Sequence, residues 1–355
     1  MSTRRWRWMP LFALLTVVAT ACGGGGGGDA SQDGAAAPVG GQTGRSERPV
    51  QFEGAGKVKL FGTFTTPATP AGGGSVPGVL VVPTAGVGGL LGQTGVADPF
   101  TKDLASTFVG AGVAAYRYDQ RGTGESKLEP DVRLSFDDLV ADARAGLDLL
   151  AQRRETAGRD LSVVGYDQGG LVALRLAAID DRVKRVVLIS SPGRSLLDVR
   201  AAQLRARYNA EAAEALRTEV ANLLATRTVP PLEALRTELR PLLPAQEAGF
   251  LAQLYGYDPA ADAARVKAQT MIVVPTDPAP YDPQRLAAAI PGAQVVNSVG
   301  SGSTLVISGP TPEDRSDPTS ANHEHGAAPA VATTKRDTDA LDRIARFVAA
   351  TTGTR

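Results

Sequence analysis

The chain of 355 residues is 43% hydrophobic and carries 37 basic and 37 acidic side chains, so its formal charge is zero. That length is ample for one large core, while the balanced charge supplies no basic patch or stripe of the kind that nucleic-acid binding leaves. A single cysteine excludes an intramolecular disulfide.

The first 21 residues read as an export signal. Arg4, Arg5 and Arg7 make a basic start, residues 9–21 are apolar, and small residues precede Cys22. The apolar stretch falls short of the about 20 residues that a bilayer span needs. Ala19-Thr20-Ala21-Cys22 resembles a bacterial lipobox, in which the cysteine becomes the lipidated first residue of the mature protein. An ordinary signal peptide with an incidental cysteine is the alternative. The lipobox resemblance implies a protein held by acyl chains on the extracytoplasmic face of a bacterial cell envelope, each buried methylene contributing about 0.8 kcal/mol. Residues 22–49, mostly glycine, alanine and polar side chains, are then a flexible tether. The folded domain is expected over 50–355.

From Val50 onward strand and helix signals alternate. Residues 50–67 read as two strands joined through Gly54 to Gly56, with Val58, Leu60 and Phe64 on alternate positions. GVLVVP (78–83) is continuously apolar, as a strand buried on both faces should be. A helix over 98–109 carries Phe100, Leu104 and Phe108 at helical spacing. The run VAAYRYD (113–119) leads into the glycine-marked loop QRGTGES. Ser135 then opens a capped helix whose Leu139, Ala143, Leu147 and Leu150 share a face. LSVVGY and VKRVVLISS (183–191) are further strands. Residues 194–262, rich in alanine, leucine and arginine, break the rhythm and read as a helical insertion above the sheet. TMIVVP (270–275), a helix near PQRLAAAI, the strand AQVVNSV and a last helix DALDRIARFVAA restore it. Such alternation predicts an α/β fold with a parallel sheet covered on both faces.

One short stretch concentrates the chemistry. VVGYDQGG (163–170) joins a strand to a helix, and a sharp turn there lifts one side chain above the sheet while leaving no room for side chains on either flank. That is the physical content of the pattern G-x-S-x-G, but the lifted residue is Asp167. Taken in order, PTAGVGG, YRYDQRGTGES, GYDQGG, VVPTDPAPYDP and ANHEHG resemble the α/β-hydrolase fold over about residues 50–350, and best its serine-hydrolase and aminopeptidase-like branch. The resemblance implies a mostly parallel central sheet with a helical lid over 194–262. It also implies a catalytic acid after a late strand, which falls on Asp277 with Asp282 as rival. The histidine comes last, at His323 in Asn322-His323, with His325 as second candidate; the chain has only these two. Oxyanion amides map to Gln168 and to Ala85.

Aspartate at this position is chemically coherent. A carboxylate is ionised at neutral pH without a base, given its ordinary pKa of about 3.9, and can displace a leaving group from saturated carbon to form an ester. A histidine would then activate water against that ester, oriented by the acid. Haloalkane dehalogenases and epoxide hydrolases of this fold work in that way. Trp6 and Trp8, the only indoles, both lie in the signal segment, and Gln168 stands where dehalogenases often carry a halide donor. Tyr208, Tyr255 and Tyr257 in the insertion are candidates for the two lid tyrosines of epoxide hydrolases, although the usual H-G-x-P loop is absent. The competing reading is a degenerate, non-catalytic binding lipoprotein, because aspartate tolerates the positive φ that such a turn demands. Either way the expected partner is a small-molecule substrate or ligand. No metal-ligand cluster or phosphate loop appears in the sequence, so no cofactor is expected.

Overall fold

Runs that are apolar throughout form the centre of the sheet, and the polar, alternating run forms its edge. The computed structural model describes residues 45–68, 74–84, 95–129, 132–277, 281–302, 304–307 and 335–351. Its strands are β1 (Ser46–Glu53), β2 (Lys59–Thr66), β3 (Gly78–Val82), β4 (Ala114–Tyr118), β5 (Leu161–Tyr166), β6 (Val183–Ile189), β7 (Gln269–Val274) and β8 (Gln294–Asn297). They make one eight-stranded sheet in the order β1-β2-β4-β3-β5-β6-β7-β8. The β1/β2 and β2/β4 pairs are antiparallel and all others are parallel. Every residue of β3, β4 and β5 is buried, whereas β1 is largely exposed and contains Pro49, which only an edge strand accommodates readily. β1 begins at Ser46 rather than Val50, because residues 46–49 already pair with β2. The end of the segment read as tether is therefore strand.

Side-chain alternation divides the core in two. Leu80, Val82, Val163 and Leu188 face α2 (Phe136–Gln152) and α3 (Gly169–Ile179). Val79, Val81, Val164 and Val187 face α1 (Pro99–Gly110) and α9 (Thr338–Ala349). The insertion consists of α4 (Leu196–Arg207), α5 (Ala210–Thr226), α6 (Ala248–Gly256) and the short α7 (Pro259–Ala263), and α8 (Gln284–Ala289) follows β7. Its Leu204, Leu216, Phe250 and Leu254 belong to the same buried cluster as the α2/α3 face, so the insertion is packed onto the sheet layer. Among the described residues no helix is long and apolar enough to cross a membrane. The architecture is the α/β-hydrolase fold that the motif order implied.

The strand order reverses about β3, which is followed in the chain by β4 on one side and, later, by β5 on the other. Open α/β sheets bind ligands in the crevice beyond the carboxyl ends of strands at such a reversal. Asp167 directly follows the last residue of β5. The cap expected at Ser135 is present, its Oγ accepting from Asp138 N, and Asp98 also caps its helix, the carboxylate accepting from Phe100 N (2.9 Å).

The motif YRYDQRGTGES serves to hold this frame. Arg121 donates through Nε and Nη2 to both oxygens of Asp142, each at 2.6 Å, and both side chains are buried. The same pair closes on the β1–β2 connection, with Ala55 N donating to Asp142 (2.8 Å) and Arg121 donating to Ala55 O (2.9 Å). Asp119 accepts from Val96 N (2.7 Å) and Glu125 N (3.0 Å). Removing one member of a buried pair strands the other charge. Arg121→Ala should therefore lower unfolding free energy in urea by about 3–5 kcal/mol, and adding Asp142→Asn should recover part of that loss.

Candidate active site

Asp167 occupies the turn between β5 and α3 with φ 50°. Its backbone is held from both sides: Asp167 N donates to Ile189 O of β6 (3.0 Å), and Asp167 O accepts from Gly170 N (3.1 Å). The flanking glycines are sterically required. A Cβ on Gly165 would lie 2.4 Å from the Gly169 carbonyl oxygen, and one on Gly169 would lie 2.4 Å from that of Pro83. The turn is thus wedged against the end of β3, and its middle side chain is pushed up at the amino end of α3, where the helix dipole favours a negative charge.

The Asp167 side chain is 5% exposed. The Tyr281 hydroxyl and the Gln168 backbone N–H hydrogen-bond its carboxylate, and the Arg200 guanidinium adds an attractive charge. Oδ1, however, has no hydrogen-bond partner among the described residues. Burial lifts the Asp167 pKa above the ordinary carboxylate range, and Arg200, Tyr281 and Gln168 only partly oppose it. Tyr281 in turn is pushed up to about 12, chiefly by burial and then by the Asp167 charge, so it is a neutral donor at physiological pH. Gln203 hydrogen-bonds Tyr281 and accepts from Arg200 Nη1 (2.8 Å). Arg200 and Gln203 both lie on α4, which makes the first helix of the insertion part of the roof over Asp167.

The residue before Asp167 ties the neighbouring segments to it. Tyr166 donates its hydroxyl to Asp98, the cap of α1, and receives the backbone N–H of Thr84 just beyond β3. Phe100 packs edge-on against the Tyr166 ring at 5.2 Å. Thr84 and Asp98 bracket the segment that contains Ala85. Thr84 Oγ1 is another buried polar atom with no hydrogen-bond partner among the described residues.

Asp277 stands after β7, as the motif order required. It is exposed and accepts from Gly302 N (2.8 Å), while Thr276 bonds Gly300 O (3.0 Å) and Ser298 O (3.1 Å). The exit of β7 is thereby fastened to the segment after β8. Asp282 occupies the turn into α8 with φ 49°. Ala85, His323, His325 and Cys22 lie outside the described residues. Asp167 and Gln168 are together.

The tyrosines expected from the insertion have other partners. Tyr208 is 51% exposed, Tyr255 donates to Leu242 O (3.1 Å), and Tyr257 donates to Asp262 (2.8 Å). The tyrosine on Asp167 is Tyr281, from the VVPTDPAPYDP segment. Arg200, Gln203 and Tyr281 were not anticipated. Two polar residues three apart on an arginine-rich helix look like solvated surface, and only the α4 packing turns them inward.

The family model described as "Alpha/beta hydrolase family" matches residues 79–315. No curated protein matches the chain. Solved structures with the same fold include a complex of DcsB with its substrate analogue (16% identity, 85% of this chain and 99% of that one, TM-score 0.53). An acetyl xylan esterase from Paenibacillus sp. R4 aligns at 17% identity over 77% of this chain and 82% of that one, with TM-score 0.51. A hypothetical protein from Pseudomonas aeruginosa, PA2218, aligns at 17% over 77% and 92%, with TM-score 0.54.

A buried acid with a raised pKa makes the folded state weaker once it ionises: the benefit of the neutral form is complete below the unfolded pKa and is lost as pH rises through the folded one. Asp167→Asn should therefore stabilise the protein at neutral pH by about 0.5–2 kcal/mol. Thermal unfolding measured against pH should show the two proteins converging in acid.

Proposed function

Because the chain belongs to the alpha/beta hydrolase family, we propose that it is a hydrolase in which Asp167 is the nucleophile of the elbow and saturated carbon its target. The observation that carries this is the asymmetry of the carboxylate. Tyr281 and the Gln168 amide hold the group, yet Oδ1 is buried with no hydrogen-bond partner among the described residues. A carboxylate anchored in this way presents one oxygen already desolvated for attack.

In the first step Oδ1 bonds to carbon, the leaving group departs with its electron pair, and an alkyl ester of Asp167 forms. As the Asp167 charge is consumed in the new bond, the Tyr281 hydroxyl that held it is freed to turn its hydrogen bond to a departing oxygen. In the second step water attacks the ester carbonyl, and the Gln168 amide, with that of Ala85, is the donor set for the oxyanion. We assign His323 as the base for that water and Asp277 as the acid that orients it. Collapse of the intermediate breaks the ester C–O bond, the departing alkoxide takes the proton that His323 removed from the water, and the carboxylate is restored. Attack on an acyl carbon is disfavoured, since it would give an anhydride. Small epoxides and alkyl halides are therefore the substrate class, and Tyr281 favours the epoxide, whose leaving oxygen develops a charge that a hydroxyl donor stabilises.

A second reading has its own support. Asp167 sits comfortably at φ 50° beneath α4, as a residue retained in a binding protein after loss of catalysis would. We also place the protein on the extracytoplasmic face of a bacterial envelope, anchored through Cys22.

His323→Ala should accumulate an ester on Asp167 when incubated with a reactive epoxide or alkyl halide, detected as a mass shift of the peptide carrying it. Alkylation should speed up as pH rises through the elevated Asp167 pKa, because the ionised form attacks. A chain inert to the whole panel, in which Asp167→Ser instead acquires slow esterase activity, would establish the relic. Mass spectrometry of the membrane fraction should separately find an acylated peptide starting at Cys22; cleavage elsewhere would remove the anchor.

A further inference from the structure

A second concave site lies at the opposite end of the sheet from Asp167. Since β5 spans six residues, it is about 20 Å away along the strand. A groove of about 790 Å³ opens there between α2, the carboxyl end of α3 and the amino ends of β5 and β6. Six cations line it (Arg144, Arg159, Arg182, Lys184, Arg265 and Lys267), against the two carboxylates of Asp180 and Asp181.

Most of that charge is already spoken for. The carboxyl end of α3 attracts cations, and Arg182 bridges Asp180 and Asp148 at 2.6 Å each. Arg144 also reaches Asp180 (3.3 Å), Lys267 pairs with Asp181 (3.1 Å), and Arg265 pairs with Asp262 (3.2 Å). Arg159 and Lys184 differ. Among the described residues Arg159 Nε donates to the Ser75 carbonyl (2.8 Å), and Lys184 Nζ to that of Asp181 (2.9 Å). Both side chains are exposed, and neither meets a carboxylate among the described residues.

Between these cations the wall is apolar. Leu161 and Ala178 line it, and Ile179 is 43% exposed at the end of an otherwise buried helix. An isolated exposed isoleucine needs no explanation, but one inside a groove rimmed by two surplus cations makes a surface with a charged end and an oily end.

We propose that this groove binds a free, single-chain organic anion, with its carboxylate or phosphate head on Arg159 and Lys184 and its hydrocarbon against Ile179. The planar guanidinium of Arg159 suits the two oxygens of such a head, and Lys184 adds a point charge. The apolar body gains by leaving water over Ile179 and Leu161. The site is independent of Asp167.

Calorimetric titration of the full chain with decyl phosphate, below its micelle concentration, tests this. One decyl phosphate should bind per chain, more weakly as salt is added. Affinity should fall roughly tenfold or more in Arg159→Ser/Lys184→Ser, which breaks no carboxylate pair, and should also fall in Ile179→Ser. Thermal melts should confirm that these variants remain folded, and Asp167→Asn should bind normally. Equal binding of inorganic phosphate or of decyltrimethylammonium would overturn the proposal. So would unchanged affinity in the double variant, binding only to vesicles of anionic phospholipid, or loss of binding in Asp167→Asn.

Discussion

The contact between the elbow turn and the end of β3 governs the candidate site. Gly169 approaches the Pro83 carbonyl so closely that no side chain fits between them, and Gly165 lies equally close to Gly169. With both flanks compressed, the intervening residue is forced into positive φ and its side chain upward. A carboxylate placed there is withdrawn from water by the sheet below and by α4 above. Its raised pKa and its reliance on Tyr281 and Gln168 both follow from that one backbone approach.

Two polar devices keep the approach in place. Tyr166 fastens the exit of β3 and the start of α1 to the strand that carries Asp167, using one hydroxyl as both donor and acceptor. Arg121 and Asp142 fasten the loop after β4 and the β1–β2 connection to α2. Neither device includes Asp167, Gln168 or Tyr281. Each replaces hydrogen bonds to water with buried ones of fixed direction, which makes it rigid and intolerant of losing a partner.

Much of this was legible in the residues. Continuous apolar runs marked β3, β5, β6 and β7 because strands buried on both faces have no polar side to show. The glycine spacing around Asp167 marked the turn because the steric requirement is local. Ser135 and Asp98 marked helix starts for the same reason. The edge strand was placed too short: residues 46–49 are polar and contain a proline, and only pairing with β2 makes them strand. The roof of the site was not legible at all. Arg200 and Gln203 are ordinary helix-surface residues until α4 packs, and Tyr281 sits in a proline-rich stretch with no periodicity. Tyr255 and Tyr257 seemed better placed by sequence, yet each hydroxyl is taken by a nearer acceptor, Leu242 O and Asp262.

The most direct test of a carboxylate nucleophile follows the oxygen. When an excess of protein turns over an epoxide once in ¹⁸O-labelled water, the diol should carry unlabelled oxygen delivered by Asp167, and the label should appear in the peptide containing Asp167, because water attacks the ester carbonyl. Label found in the diol alone, with Asp167 unlabelled, would mean that water attacks the substrate directly and would contradict the nucleophilic role of Asp167.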